Sequence, residues 1–403
     1  MSASTLFNAS KSEPSLTLIK SMRIIIIYSM ITFFTLIQCM PCTTQLLSEP
    51  KFLPQYGENY SNQTDSDLPK KFRLHRYHTV KKIHKWLYDC SRNFSNHTNL
   101  VNLGHTYEKR PVLLIQLSKN LTKTDIPVIW IQAGTHAREW ISISTALCLI
   151  SKILKVLSRH NDYDHKNDVF RTHRLVSSYR FTFIPLINPD GYEYSRKVSR
   201  LWRKNRFRHK NCTGVDLNRN WGYLGNESSF SMLDEDVRQQ KRNINSNHKC
   251  SILYSGPYPF SEFETSLIAN YARKLPNIKA ALELHNPGQM IIYPWGWTKQ
   301  PTPDNDLQEF AARKMAETIY NTTGEHYVYG QISQLLYKAP GNSIDWFYGA
   351  LGIKYSYGIE LRDKGKEGFL VSSNKVRPTC KEIFKALLAL LDIISKRDRV
   401  IPL

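Results

Sequence analysis

Seven consecutive residues constrain this chain most: Gly134-Thr135-His136-Ala137-Arg138-Glu139-Trp140. An apolar run, Val128-Ile129-Trp130-Ile131, leads into them, and Ile141 to Leu157 follows with apolar residues at helical spacing. The stretch therefore sits where a strand ends and a helix begins. Open α/β sheets gather ligands at the carboxyl ends of their strands. A His and a Glu three residues apart can turn toward one point, as two metal ligands must. The order is His-x-x-Glu, which excludes the helical His-Glu-x-x-His arrangement. Alone, such a pair reads as an ordinary surface contact. A third ligand, a base and an anion clamp downstream give it chemistry.

The chain has 403 residues, 41% hydrophobic and 12% aromatic, enough for one large domain with extensions or two ordinary ones. Its formal net charge is +21. A solvated basic face is the bland reading of that charge, and contact with polyanions such as heparin-like glycans or nucleic acid is the sharper one. The basic residues are scattered and no recognised binding motif accompanies them, so no nucleic-acid partner is expected. A monomer is expected.

Ile24 to Ile37 is mostly apolar, follows Lys20 and Arg23, and is too short for a comfortable membrane span. Residues 1–40 thus read as a signal peptide, with initiation at Met22 giving the conventional form. Secretion is the expectation, an uncleaved signal-anchor the alternative. Acceptor sites for N-glycosylation fit that compartment: Asn59, Asn62, Asn93, Asn96, Asn120, Asn211, Asn226 and Asn321. Cys39 and Cys42 fall at the signal boundary. Cys212 and Cys250 flank a polar, loop-like segment and form the expected disulfide. Cys90, Cys148 and Cys380 have no obvious pairing and read as free buried thiols.

Residues 41–72 are polar and without period, a linker or short pro-segment. Thr79 can cap a helix from Val80 to Asp89. Strands are expected at 111–118, 127–133, 180–186, 278–285 and 354–361. Helices are expected at 141–157, 262–275, 304–320 and 380–396. Residues 159–173 read as a charged loop, Asn188-Pro189-Asp190-Gly191 as a turn, and 222–249 as an inserted surface loop. The alternation of strands and helices argues α/β, with a mixed, mostly parallel twisted sheet and helices on both faces.

The chain resembles the zinc metallocarboxypeptidases of the pancreatic carboxypeptidase A/B subfamily. The resemblance is carried by His136-Ala137-Arg138-Glu139-Trp140-Ile141-Ser142, Asn188-Pro189-Asp190-Gly191, Leu201-Trp202-Arg203-Lys204, Gly214-Val215-Asp216-Leu217-Asn218-Arg219-Asn220-Trp221, Glu283-Leu284-His285, Tyr293-Pro294-Trp295-Gly296, Gly341-Asn342-Ser343-Ile344-Asp345-Trp346 and Glu360-Leu361-Arg362-Asp363. These occur in order from about residue 73 to the end, so 73–403 would be the catalytic domain. The resemblance implies one Zn²⁺ per chain on His136, Glu139 and His285, with one position left for water. It implies that Asp216 orients His136, that Glu360 is the general base, and that Arg203 stabilises the oxyanion. Peptide and protein C-termini would be the substrates. Their terminal carboxylate would be read by Arg219 with Asn218, under a mobile Tyr337, and Arg138 would bind substrate further along the groove.

By the same resemblance Ile344 lies at the base of the pocket for the terminal side chain, with Ile332 and Ile292 on its wall. B-type relatives carry an aspartate at the Ile344 position. Ile344 offers no charge, which implies preference for large apolar or aromatic terminal residues. Gly358 faces the same side as Glu360, and its missing side chain is expected to widen the pocket. Four departures from the family stand out, one of them the 222–249 loop, which is longer than usual. The segment before the peptidase is too short for the usual folded inhibitory domain. Asn286-Pro287 follows the third ligand, and Pro340 sits near Tyr337. The alternatives are a basic-residue (B-type) carboxypeptidase and a catalytically silent peptide- or glycan-binding relative.

Overall fold

The computed structural model describes residues 72–159, 168–222 and 248–398, all within the unit Gln63–Leu403. The signal region, the linker up to residue 71, the acceptor sites Asn59, Asn62 and Asn226, and most of the 222–249 loop lie outside the described residues. Eight strands build the sheet: β1 (Thr98–His105), β2 (Pro111–Leu117), β3 (Val128–Ala133), β4 (Arg180–Ile184), β5 (Ile278–His285), β6 (Met290–Tyr293), β7 (Val328–Gln331) and β8 (Tyr355–Glu360). Their order is β1-β2-β4-β3-β5-β8-β6-β7. The centre, from β4 through β3 and β5 to β8, is parallel. Antiparallel pairs close both sides of that centre, and β6 and β7 are parallel at the far edge. The sheet is mixed and mostly parallel, as expected.

The central strands are near-continuous apolar runs because helices cover both faces. One face carries α1 (Val80–Asn93), α2 (Trp140–Leu157), α3 (Asp168–Ser177), α4 (Pro189–Lys197), α6 (Asn305–Thr323) and α8 (Val376–Arg397). The other carries α5 (Phe263–Lys274) and α7 (Ser343–Leu351), with Ile268, Trp346 and Phe347 packed on Trp130 and Ala281. The α2 helix is long and apolar enough to cross a membrane, yet most of it is buried inside this fold as a core helix.

Register decides where the functional residues land. Ala133 pairs with Leu284, and His285 pairs with Glu360. The loop after β3, the end of β5 and the end of β8 therefore meet at one edge of the sheet, the edge where parallel sheets bind ligands. Gly134 turns the chain out of β3 at φ +71°, and a side chain there would press on Ile143 and the Leu186 backbone.

Several elements differ from the sequence-based expectation. Thr79 does cap α1, its hydroxyl accepting from Lys82 N–H at 3.3 Å, but the helix runs on to Asn93. The charged 159–173 segment is not all loop, since α3 begins at Asp168 and buries Val176. Asn188 is an N-cap rather than a turn residue, accepting from Gly191 N–H at 2.8 Å to start α4. The final helix begins at Val376, a turn before Cys380. The free-thiol reading holds for Cys90 but fails for Cys148 and Cys380. Those two are joined in a disulfide between α2 and α8, Cα atoms 6.2 Å apart. They stand on facing helices at a sequence separation of 232, which no local spacing signals. Cys212 and Cys250 are paired as expected, Cα atoms 5.0 Å apart.

Candidate active site

His136, Glu139 and His285 converge at the sheet edge, each at most 4% exposed. One ligand atom from each lies within 4.8 Å of the others. Both imidazoles point Nδ1 at the Glu139 carboxylate, His136 at 2.8 Å and His285 at 2.9 Å. Two nitrogens and a carboxylate closing on one point make a three-ligand set that suits zinc and leaves a coordination position open.

Each imidazole has a carboxylate behind it. Asp216 Oδ1 lies 3.2 Å from His136 Nε2. Its other oxygen accepts from Arg203 Nε at 3.0 Å and Nη2 at 2.9 Å. Burial opposes the Asp216 charge, but Arg203 and His136 outweigh it and hold the carboxyl well below the usual range. Glu283 does the equivalent for His285, with Oε2 3.3 Å from Nε2. Glu283 is fully buried, and the hydroxyls of Thr135 and Ser343 donate to it. Burial would raise its pKa, yet His285 and these donors bring it down to about 2. Asn218 Nδ2 also meets His285 Nε2, at 3.2 Å.

The remaining polar residues line the approach. Glu360 ends β8 beside His285 and is partly exposed. Burial pushes its carboxyl up to about 8, against the pull of His285, with Glu139 adding to the rise and Arg203 opposing it. Arg138 is 2% exposed, with Nε and Nη2 lacking any hydrogen-bond partner and Cζ 4.0 Å over the Phe369 ring. Burial and then Arg203 lower its pKa to about 10. Arg219 is 5% exposed; it donates to the Asn218 carbonyl at 2.7 Å and to the Tyr337 hydroxyl at 3.0 Å, and its Nε is unpartnered. Tyr337 itself is 45% exposed. Gly341, at φ +77°, lets the chain pass over Arg219, where a Cβ would collide with the Arg219 carbonyl.

Beside the arginines, Ile292, Ile332, Ala339 and Ile344 form a small apolar cluster with Met290, Leu335 and Leu336 against it. Gly358 backs this cluster, but it does not leave the wall open. A Cβ there would stand 2.9 Å from Ile292 Cγ1, so the glycine makes room for Ile292. Asp345, next to Ile344, is fully buried and points elsewhere, accepting from Gly296 and Trp297 N–H groups. Asn286 is likewise tied back, its N–H donating to Glu139 and its amide to the Gly368 carbonyl.

The zinc carboxypeptidase family model matches residues 83–386. This chain belongs to the zinc carboxypeptidase family. Among its relatives, bovine carboxypeptidase B2 is 34% identical over 83% of this chain and 74% of its own length. Mouse carboxypeptidase A4 is 33% identical over 80% of this chain and 71% of its own. The structure of bovine thrombin-activatable fibrinolysis inhibitor in complex with tick carboxypeptidase inhibitor superposes with a TM-score of 0.68 at 32% identity, covering 80% of this chain and 99% of that one. The chain is a zinc metallocarboxypeptidase, which hydrolyses the C-terminal peptide bond of peptides. Overall identity does not sort it between A and B types.

One residue of this carboxypeptidase site escaped the sequence reading. Glu283 stands two positions before His285, on the same face of β5, and an acidic residue inside a buried apolar run was the available signal.

Proposed function

We propose that this metallocarboxypeptidase removes large apolar or aromatic residues from peptide C-termini, using the residues the resemblance names. When bound by His136, Glu139 and His285, zinc would supply a lowered water pKa and a polarised scissile carbonyl. Glu360 takes a proton from the attacking water and passes it to the departing amine. Arg203 keeps two donors on Asp216 and offers the third nitrogen to the developing oxyanion. Arg219, Asn218 and Tyr337 hold the terminal carboxylate, while Arg138 binds the peptide on the other side of the scissile bond. Asp216 and Glu283 fix the ring orientation of His136 and His285.

The observation that carries this reading is the pair of buried arginines with unpartnered donors beside the ligand cluster. Buried guanidinium donors left unpartnered are costly, and a substrate carboxylate relieves that cost. The apolar preference is supported by Ile292, Ile332 and Ile344, against which an unpaired Lys or Arg would be strongly disfavoured. The test compares one peptide as free acid and as C-terminal amide, with and without a chelator, in the native enzyme and Glu360→Gln. Hydrolysis of the free acid alone, lost on chelation, with Glu360→Gln slower by roughly 10²–10⁴-fold at full zinc content, is expected. Near-normal turnover by Glu360→Gln would reject it as the base.

The enzyme is proposed to work outside the cell, where its two disulfides persist. Residues 41–72 are proposed as a linker rather than an inhibitor, so trimming to near Lys70 leaves activity unchanged. The excess positive charge is proposed to meet polyanions.

A further inference from the structure

Away from the cleft, α2 and α8 lie side by side, cross-linked by Cys148–Cys380, and carry facing rows of basic residues. Lys152, Lys155 and Arg159 follow at helical spacing along and just past α2. Lys381 and Lys385 follow one turn apart on α8. A cavity of about 280 Å³ opens here, lined by Lys152, Lys155, Arg159 and Lys385. Val169 and Phe384 give it an apolar lining, and among the described residues Asp168 is the one carboxylate that lines it.

Like charges one helical turn apart repel. Among the described residues, none of these five cations makes an ion pair with a carboxylate, in contrast to Lys85, Lys314 and Lys396, which do. Burial first, then Lys155, Lys381 and Lys385, lower the pKa of Lys152. The described residues thus gather five cations around a cavity to which they contribute one carboxylate. Lys381 continues the α8 row beyond the cavity lining, and cations set in two rows along two helices suit a polymer of regularly spaced anions better than one small ion. Phe384 is half-buried, and the Lys152 ammonium stands over its ring, 5.3 Å from the centre. One such ring can face a sugar but offers no wedge for lipid. Lys155 stands sixteen residues beyond Glu139, roughly 24 Å along the helix axis. An occupant would leave the catalytic cleft open.

We propose that this α2–α8 groove binds a linear sulfated polysaccharide and so tethers the enzyme without blocking it. The proposal gives a place to the polyanion contact above, and it stands apart from the peptidase chemistry. Sulfates stay ionised and release counterions on binding, so affinity should fall steeply with salt.

The probe is a heparin hexasaccharide at about 0.15 M salt, with affinity measured by calorimetry on the full secreted enzyme. Lys155→Glu, Lys381→Glu and Lys385→Glu together should weaken binding on the order of 100-fold. A control reversing Lys274, Lys299 and Lys364 has the same net charge and should change it less than about 3-fold. Both triple variants should hydrolyse a blocked dipeptide at the native rate, which reports intact folding. Absence of heparin binding by the native enzyme would overturn the polyanion contact itself. Equal weakening by the two triples would leave that contact standing and overturn the groove. Retained binding of desulfated heparin, or equal competition by single-stranded DNA or phosphatidylserine vesicles, would overturn the ligand class.

Discussion

Glu283 stands 3.3 Å behind His285, two residues earlier on the same strand, while the front of the same ring faces Glu139 at 2.9 Å. His285 is therefore held from both sides by carboxylates, as His136 is by Glu139 and Asp216. A carboxylate behind a ligand imidazole fixes its tautomer and raises its basicity. Glu283→Gln keeps the shape and removes the charge. Zinc affinity, read by competition with a chelator, should fall about 10–100-fold. An unchanged affinity would mean that Glu283 only fills space between Thr135 and Ser343.

Arg219→Ala removes the proposed clamp but none of the metal ligands. Selectivity for free acid over amide in kcat/KM should shrink by about 100-fold or more, with zinc content unchanged. Equal losses on both substrates would show a structural role instead.

Glu264 gives a pH test that does not touch the metal. It is fully buried on α5, with Oε1 lacking a partner and Oε2 3.3 Å from Asn205 Nδ2. Burial, reinforced by Asp190 and Glu262, raises its carboxyl from 4.5 to about 8. The folded state then holds a proton that the unfolded state gives up at lower pH. Its contribution to stability is full below about pH 4.5 and is lost as pH rises through about 8. Glu264→Gln should therefore flatten the decline of Tm across that window. Identical slopes in native and variant proteins would contradict the assignment.

Much of the site was legible because its residues break strong patterns. His285 and Glu360 each end an apolar strand, His136 follows three residues after another, and the register of β5 with β8 brings the first two together. Helix α3 was hidden by its charges, and β1 by exposed polar positions such as Asn99 and Asn102 on an edge strand. Glu283 was hidden because Leu-Glu-Leu also fits a strand with one solvated face, whereas helices cover both faces of β5. The Gly358 pocket wall was misjudged from the missing side chain alone. Only the fold puts Ile292 into the space that the glycine leaves.

The central claim is a C-terminal exopeptidase with an uncharged apolar pocket. A panel of blocked dipeptides that differ only in the last residue tests it most directly. Each buried methylene contributes about 0.8 kcal/mol, so kcat/KM should rise in graded steps from Ala through Leu to Phe, Tyr and Trp. Lys, Arg, Asp and Glu should be rejected far more sharply, because Ile344 and Ile292 give their charges no partner. Ile344→Asp should turn preference toward Lys and Arg. Faster cleavage of terminal Lys or Arg than of Phe by the native enzyme would contradict the account and make this a basic-residue carboxypeptidase.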